Sequence, residues 1–485
     1  MMLLLIPLFP FLGFLVNACI GKRLSKSAAG SVAVAAMVAS FAVALTSVMA
    51  DLQVDERSVQ WLTTSFMLTM AVVIPITGWL LERIPTRTAF ILAMCLFTTG
   101  TLVCAVAPAF ALVLAGRIVQ ASGTAIMMPL LMTTIMQLVP PAHRGAVMGN
   151  ISLVISVAPA LGPTMAGLVL QFTSWRGVFG IMAPIGLAML IVGALRISNV
   201  NEPVRVPLDV LSIPLTVLGF GGLVYGLSLI GDPTVPTAEV AGAFAVGALA
   251  LVAFLWRQLR LAHADRALLD LRAFQHGAFT ISVIVMALAM MALFGTVIML
   301  PLLLQQALHL PALSVGLMLL PGGVLMGVLG PIVGRLYDRV GARPLMLPAS
   351  VVVAGVFWLL STIQPDTPWW FVLACHMAMS ASFAFMFTPL FTIALGSLPR
   401  QLYTHGSAIV GTVQQLAGAF GTAVFVTVFA AQSDAHKATG AGVEESLLYG
   451  SHLAFLGAGA VWLLAIVATG FLKTPEPSDE LPHAH

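Results

Sequence analysis

Long apolar segments separated by short polar loops account for most of the chain. Apolar runs of about 20 residues, each long enough to cross ~30 Å of hydrocarbon as a helix, recur roughly fifteen times. The pattern predicts membrane helices at 2–19, 28–50, 60–81, 88–107, 110–138, 145–170, 177–195, 210–230, 238–256, 278–304, 312–333, 345–363, 369–397, 406–430 and 449–472. The predicted fold class is therefore an all-α integral membrane protein.

The composition agrees with this prediction. Of the 485 residues, 60% are hydrophobic and 8% are charged, whereas about a quarter are charged in soluble globular proteins. The four cysteines lie in apolar segments without a CxxC pair or a histidine cluster, so we expect neither a disulfide nor a metal site. The basic residues are dispersed over loops, and the net charge of +3 gives no reason to expect a nucleic-acid partner.

The distribution of basic residues predicts the orientation. Of the 21 Lys and Arg, 17 fall on alternate loops of one parity, and Arg57, Arg176 and Lys437 fall on the other. By the positive-inside rule the first set is cytoplasmic. We therefore expect a cytoplasmic C-terminus.

A ten-residue pattern occurs twice, each time in a short basic loop between two predicted helices. Its members are Gly78, Glu82, Arg83 and Arg87 in GWLLERIPTR, and Gly334, Asp338, Arg339, Gly341 and Arg343 in GRLYDRVGAR. Glycine permits a close helix approach, and the acidic residue can sit at the positive N-terminus of a neighbouring helix. Repeated halves indicate a transporter built from two bundles. The alternative is a solvated turn held at the surface by its arginines.

The first copy departs from the pattern at two positions. Glu82 takes the place of Asp, and Pro85 takes the place of Gly. Proline cannot supply a turn with positive φ. We therefore expect the first copy to hold its neighbours less firmly than the second.

Arg117 is the one Lys or Arg that falls inside a predicted membrane-length segment. An unpaired charge in the membrane is expensive and marks a functional site by default. Gln120 and Gly123 follow at one-turn spacing on the same helical face. We interpret Arg117 as lining the transport path; the alternative is a guanidinium that snorkels toward the headgroups.

These motifs together resemble the major facilitator superfamily, in its fourteen-helix drug/proton antiporter branch (EmrB/QacA type), from about Met49 to Leu472. The matching stretches are RIVQASG at 117–123, PALGPTMAG at 159–167, SWRGVF at 174–179, LPGGVLMGVLGPIVGRLYDR at 320–339 with the loop pattern at 334–343, and LYTHGSAIVGTVQQLAGAFGTA at 402–423.

The resemblance implies a fold of two six-helix bundles plus two central helices, and the chain adds one N-terminal helix. The corresponding divisions are 1–27 (extra helix and basic loop), 28–196 (first bundle), 197–276 (inserted helices and loop), 277–473 (second bundle) and 474–485 (tail). The resemblance also makes the two loop patterns a cytoplasmic latch for the outward-facing state.

A run of prolines and glycines interrupts the predicted helix 145–170. Its members are Pro159, Gly162, Pro163 and Gly167. Proline removes a backbone bond and small residues let helices approach closely, so we expect a kinked, closely packed helix. In the resembled family this feature marks drug/proton exchangers; the alternative is tight packing alone.

Few polar residues are candidates for a substrate cavity. They are Gln120, Thr133, Thr134, His376, Gln414 and Gln415, among many Met and Phe residues. A flexible apolar cavity suits lipophilic, often cationic compounds. His376 could carry a proton near neutral pH, although a buried, hydrogen-bonded histidine is the alternative.

The N-terminal region departs from the resembled family. The first family helix normally carries an acidic motif that the proton cycle uses, whereas the helix here has no acid before Asp51. Residues 2–45 instead resemble the opening helices of subunit L of NADH:quinone dehydrogenase. Asp51, Arg117 and His376 are then the candidates for proton coupling.

The predicted function is proton-driven export of lipophilic or cationic toxic compounds from a bacterial cell, across its inner membrane. We expect no cofactor besides the proton gradient, and a periplasmic adaptor protein is a candidate partner. The alternatives are a respiratory proton-pump subunit and a fusion inactive in transport. Enzymatic activity is not expected, because GxSxG, Walker-type, HExxH and Cys/His metal patterns are absent from the sequence.

Overall fold

The computed structural model describes residues 48–49, 51–153, 169, 172–204, 207–230, 235–310 and 312–472. Within these ranges the regular structure is helical. The predicted helix 2–19, nearly all of 28–50 and the kink residues Pro159, Gly162, Pro163 and Gly167 lie outside the described residues. What the sequence predicts for them stays a prediction.

The described ranges contain thirteen long helices. They are α1 (Glu56–Arg83), α2 (Thr86–Val106), α3 (Phe110–Leu138), α4 (144–153), α5 (Trp175–Arg196), α6 (Ser212–Leu229), α7 (Thr237–Ala262), α8 (Gly277–Gln306), α9 (Ala312–Val340), α10 (Arg343–Leu360), α11 (Trp369–Gly396), α12 (Tyr403–Lys437) and α13 (Val443–Phe471). All except α4 contain a described stretch long and apolar enough to cross a bilayer.

These twelve helices coincide with twelve of the predicted segments, and most ends agree within a few residues. The largest differences are at α9 and α12, which extend to Val340 and Lys437, followed by α7, which extends to Ala262, and α13, which begins at Val443. Hydropathy misses these ends because they carry polar side chains. Ring stacking of His436 on Tyr449, with centroids 4.3 Å apart, joins the extension of α12 to α13.

Proline occurs inside several of these helices without ending them, as at Pro129 in α3 and Pro389 in α11. In a membrane, neighbouring helices and side chains satisfy the backbone groups that proline frees. Helix α6 contains one π-helical turn at Val217–Gly221. Hydropathy alone gives no signal for that turn.

The helices pack in two groups. Helices α1, α2, α3 and α5 pack mainly on one another, and α8 to α13 form the second group. We call these the first and second bundles, with α4 joined to the first by the short turn Pro141–His143. Helices α6 and α7 pair with each other, and α6 lies against α1 and α12. This pair therefore lies alongside the junction of the bundles.

Burial distinguishes the centre of the protein from its lipid-facing surface. Helix α11 is the most buried membrane helix of the described residues, whereas α5 and α7 are mostly exposed and apolar. Aromatic packing of Phe357, Phe383, Phe425 and Trp462 fills the second bundle. Exposed apolar side chains on the outer helices fit contact with lipid.

One end of the molecule holds both copies of the loop pattern. Helices α1, α3 and α9 end there, and α2, α4, α10 and α12 begin there. We call this the latch end and the opposite end the far end. Each copy of the pattern, with the helix ends that it contacts, is called a latch.

Candidate transport machinery

The second copy of the pattern joins the two bundles through Asp338. Its carboxylate accepts hydrogen bonds from the backbone amides of Gly145 at 2.9 Å and Ala146 at 2.8 Å. Both amides belong to the first turn of α4, where backbone N–H groups have no partner within the helix. The carboxylate also faces the positive end of the helix dipole. Asp338 thus occupies the kind of position expected from the sequence.

Glycines let α4 and α9 cross at this point. A Cβ placed on Gly334 would lie 2.1 Å from the carbonyl oxygen of Gly145, and one placed on Gly149 would lie 2.3 Å from that of Gly330. Two glycines on each helix, four positions apart, therefore form the contact between the bundles. The sequence pattern predicted Gly334 but gave no signal for Gly145 or Gly149 as its partners.

The turn of the second copy uses its other glycine as expected. Gly341 has a φ of +79°, and its amide donates to the carbonyl of Tyr337 at 2.9 Å. A glycine adopts this left-handed conformation at no steric cost, and it commonly ends a helix in this way. The turn carries the chain directly from α9 into α10.

The first copy joins the bundles through Glu82. One oxygen of its carboxylate lies 3.1 Å from Nε2 of His405 and accepts a hydrogen bond from Oγ1 of Thr404 at 3.3 Å. Both residues lie in the first turn of α12. Gly78 packs against the histidine ring, because a Cβ placed on it would lie 2.8 Å from His405 Nδ1. Side chains, rather than backbone amides, are the partners here.

Asn201 stabilises the turn in which Pro85 replaces glycine. Its side-chain oxygen accepts from the amide and the hydroxyl of Thr86 at 2.8 and 2.7 Å. Its amide group donates to the carbonyls of Leu81 and Ile84 at 3.0 and 3.1 Å. No sequence pattern pointed to Asn201, because it lies more than a hundred residues from the turn in an unpatterned loop.

Other hydrogen bonds join the bundles near the latch end. Thr133 and Ser407 hydroxyls lie 3.0 Å apart, and the hydroxyl of Thr388 donates to that of Ser152 at 3.1 Å. The guanidinium of Arg144 lies against the ring of Tyr403. The described cross-bundle hydrogen bonds thus lie at this end or toward the middle of the helices, where Gln415 Nε2 contacts Met70 Sδ at 3.5 Å.

The arginines of the two patterns make fewer contacts across the latch end than the acidic residues do. Arg83 lies over the ring of Trp79. Arg87, Arg339 and Arg343 are exposed, and no ion pair to them occurs within the part of the chain that the structure describes. A role for these three in the latch is a prediction that the geometry leaves open.

Arg117 points into the first bundle. Its Nε donates to the carbonyl of Leu62 at 3.2 Å, a terminal nitrogen donates to Gln120 Oε1 at 2.8 Å, and the guanidinium lies 4.2 Å from the centre of the Phe66 ring. Gln120 in turn donates to the hydroxyl of Thr101 at 2.8 Å. These contacts on α1, α2 and α3 favour the buried polar site over snorkelling toward the headgroups.

The remaining cavity candidates are separated. Gln120 is buried between α2 and α3, Gln414 Nε2 contacts Met286 Sδ at 3.8 Å within the second bundle, and Gln415 reaches Met70 across the bundles. His376 lies inside the second bundle, where its Nε2 is 3.0 Å from the carbonyl of Leu319. Of these residues, Gln415 is the one placed at the junction.

Asp51 lies at the far end, next to Trp175. Its carboxylate pairs with Arg176 and accepts from the indole nitrogen of Trp175 at 3.1 Å. The hydrogen bond from Arg176, and then that from Trp175, lower the pKa of Asp51 below its usual value. An exposed ion pair within one bundle indicates a structural contact more than a transport site.

Comparison with known proteins agrees with this architecture. A model of the Major Facilitator Superfamily matches residues 27–422. The lincomycin resistance protein LmrB of Listeria monocytogenes is 37% identical over 429 residues, 88% of this chain and 90% of the relative. The multidrug export protein EmrB of Haemophilus influenzae is 29% identical over 385 residues, 79% of this chain and 75% of the relative.

A solved structure shows the same fold. The proton:xylose symporter XylE superposes with a TM-score of 0.61, covering 92% of this chain and 94% of that one at 16% identity. This similarity concerns the fold alone. The helical architecture, the family match and the relatives together identify the chain as a multi-pass membrane transporter that belongs to the major facilitator superfamily.

Proposed function

We propose that the protein exports lipophilic, amphipathic toxic compounds from a bacterial cell, across its inner membrane, in exchange for protons. In this proposal the latch end faces the cytoplasm, as does the C-terminus. The basic loop residues favour that orientation. The observation that carries the proposal is the set of cross-bundle contacts that both latches make at one end of the molecule.

This arrangement suits alternating access. In transporters of two bundles, one bundle rocks against the other around a site near the middle of the membrane. Two acid-to-helix contacts and a glycine crossing hold the bundles together at the latch end. In this proposal the closed latch end belongs to an outward-facing state, in which a compound can leave for the exterior and a proton can enter.

The substrate class follows from the relatives and from the middle of the molecule. Relatives are named for lincomycin resistance and for multidrug export. At the junction Gln415 and Met70 are in contact, and thioether side chains adapt to apolar compounds of varied shape. Lipophilic cations are therefore suitable first substrates to test.

Arg117 is the residue on which we expect transport to depend most. Its guanidinium bridges the Leu62 carbonyl on α1 and Gln120 on α3, so a change in its partners would alter the contact of two helices. A positive charge at this depth also responds to a proton or a cationic substrate nearby. The carboxylate needed as a proton carrier in the predicted helix 28–50 is absent from the sequence.

Efflux of a fluorescent lipophilic cation from cells tests the proposal. We expect accumulation of the dye to rise when a protonophore is added or when Arg117 is replaced by alanine, with protein levels in the membrane held equal. Arg117→Lys should recover only part of the efflux, because one ammonium cannot reproduce the planar set of donors.

Arg196→Ala is the matched control, because Arg196 is exposed at the end of α5 and should leave efflux unchanged. Wild-type efflux by Arg117→Ala would contradict the role of this residue. Efflux that ignores the protonophore would contradict proton coupling. A periplasmic adaptor protein remains a candidate partner, to be tested by co-purification from intact cells.

The respiratory alternative gains no support from the described residues. A proton-pump subunit of that class would need lysines and glutamates inside its helices. The described chain contains one lysine, Lys437, which ends α12. The resemblance of residues 2–45 to such a subunit concerns residues outside the described ranges.

A further inference from the structure

The contact between Glu82 and His405 differs chemically from the other latch. Asp338 is held by two backbone amides, which do not change charge. Glu82 is held by a hydroxyl and by an imidazole nitrogen 3.1 Å away. Histidine is the side chain whose ordinary charge change falls near neutral pH. One of the two latches therefore contains a partner that can gain a charge.

The burial of the pair is uneven. His405 is 4% exposed, whereas the side chain of Glu82 is 22% exposed. The carboxylate consequently provides a contact with water for a histidine that is otherwise enclosed. Within the described structure Nδ1 of His405 is buried without a hydrogen-bond partner, next to Gly78. When Nε2–H donates to Glu82, Nδ1 is the nitrogen that accepts an additional proton.

Other charged groups lie on the elements around this site. The charged or titratable groups near the latch end on the elements that contact α12 there are Arg83, Arg144, Asp270, Arg272, His276 and Arg400. Arg272 pairs with Asp270 at 2.6 Å, and Arg144 donates to the carbonyls of Met136 and Val139. Within the described residues, Glu82 is the carboxylate within ion-pair distance of His405.

We propose that Glu82 and His405 form a proton-binding site that links closure of the latch end to the pH on that side. Protonation of His405 places a positive charge beside the Glu82 carboxylate and converts the hydrogen bond into an ion pair. The two side chains belong to different bundles, so the ion pair exists only while the latch is closed. Proton binding and closure therefore stabilise each other by linkage.

The direction of the effect follows. Acidification on the latch side favours the closed latch and slows its reopening. The assignment of that side to the cytoplasm rests on the proposed function, and the exporter would then slow when the cytoplasm is already acidic. The linkage itself depends only on the pair.

Distances across the latch end test the proposal in the absence of transport. Spin labels are placed at Thr88→Cys and Gln401→Cys, two exposed positions on different bundles, in the full chain with its native cysteines replaced by serine. The protein is reconstituted in lipid nanodiscs without substrate. We expect the ratio of short to long distances to rise about threefold from about pH 8 to about pH 6, the scale of a partly exposed ion pair.

His405→Gln should remove this rise, because glutamine can still donate to Glu82 but cannot gain a charge. His263→Gln is the control, since His263 is exposed on a loop at the same end, and it should retain the full rise. Glu82→Gln keeps a neutral acceptor and should also remove the rise, which covers the case in which His405→Gln does not fold.

A pH-independent distance distribution in the parent protein would overturn the proposal. So would a full rise in His405→Gln or Glu82→Gln. Failure of the efflux assay, with the pH-dependent distances intact, would contradict the proposed function and leave this site standing.

Discussion

In the proposed mechanism the two latches hold the same end of the bundles together, and they do so with different chemistry. In the second, α9 and α4 meet through backbone: glycine against glycine, with Asp338 on two amides. In the first, α1 and α12 meet through side chains, with Glu82 on Thr404 and His405. Backbone contacts allow close approach but little adjustment. Side-chain contacts allow adjustment and can respond to a proton.

The glycines provide the strongest test of this difference. We expect Gly334→Ala to reduce closure and transport by about tenfold or more, because its Cβ would meet a backbone oxygen at 2.1 Å and overpacking costs ~1–3 kcal/mol. Gly78→Ala should reduce them by only about two- to threefold, because its Cβ would meet the His405 side chain, which can move. Efflux and latch-end distances measure both.

Gly355→Ala is the control, because a Cβ placed there would meet nothing within 4 Å. If Gly334→Ala and Gly78→Ala reduced efflux and latch-end closure equally, the distinction between a backbone latch and a side-chain latch would be contradicted.

The turn of the first copy should depend on Asn201. Asn201→Ala leaves the amide of Thr86 and two carbonyls without their partner, and such losses cost ~1–3 kcal/mol. We expect a lower midpoint of thermal unfolding in detergent and weaker closure at Glu82. Asn199→Ala is the matched variant, because Asn199 accepts one exposed hydrogen bond, from the amide of Arg87 at 3.1 Å. If Asn199→Ala lowered the unfolding midpoint as much as Asn201→Ala does, Asn201 would have no special role in stabilising this turn.

Replacing Asp338 or Glu82 by its amide should weaken closure of the latch end less than Gly334→Ala does, and the two replacements should differ from each other. Asp338→Asn loses the charge that faces the N-terminus of α4, worth ~0.3–2 kcal/mol, and its amide group would face a backbone N–H. Glu82→Gln retains a hydrogen-bond acceptor for its neutral partners, so near pH 8 it should weaken closure less than Asp338→Asn does. Cysteine labelling from the external side should fall more in Asp338→Asn; unchanged labelling there would argue against the latch.

The ion pair of Asp51 and Arg176 at the far end should not respond to pH changes near neutrality. The hydrogen bonds from Arg176 and Trp175 lower the folded-state pKa of Asp51, so any stabilisation is present above its ordinary value of about 3.9 and is lost as pH falls through the lowered value. Between about pH 5 and pH 8 we expect no change in stability from this group. The Asp51→Asn variant should therefore keep the pH response of the latch-end distances. If the response disappeared in this variant, Asp51 and not the pair of Glu82 and His405 would be its source.

Several features of the fold were predictable from the sequence because they depend on local properties. Apolar length sets the membrane helices, and twelve segments agree with the described spans. The position of Gly341 in the loop pattern predicted a tight turn, and this residue has a positive φ. That the first copy holds its neighbours less firmly, because of Pro85, stays a prediction. The hydrogen bonds that Asn201 makes in this turn could not be predicted, because contacts between distant loops leave no periodic pattern.

The candidate site was predictable only in part, for the same reason. Arg117 and Gln120 share a helix and a spacing, and they form the expected pair. His376 and Asp51 were chosen by residue type, but the fold places them inside the second bundle and at the far end. His405 was overlooked, because its importance comes from Glu82 on another bundle, 323 positions earlier in the sequence.

Composition and short motifs were enough to establish the membrane class, twelve of the fifteen predicted spans, the repeated loops and the family, since each of these is a local property of the chain. Which residues meet became known only from the packing of the helices. That packing sets Asp338 on the first turn of α4, Glu82 beside His405 and Arg117 inside the first bundle. Helix packing joins residues that are far apart in the chain, and no single segment carries a signal for its partner.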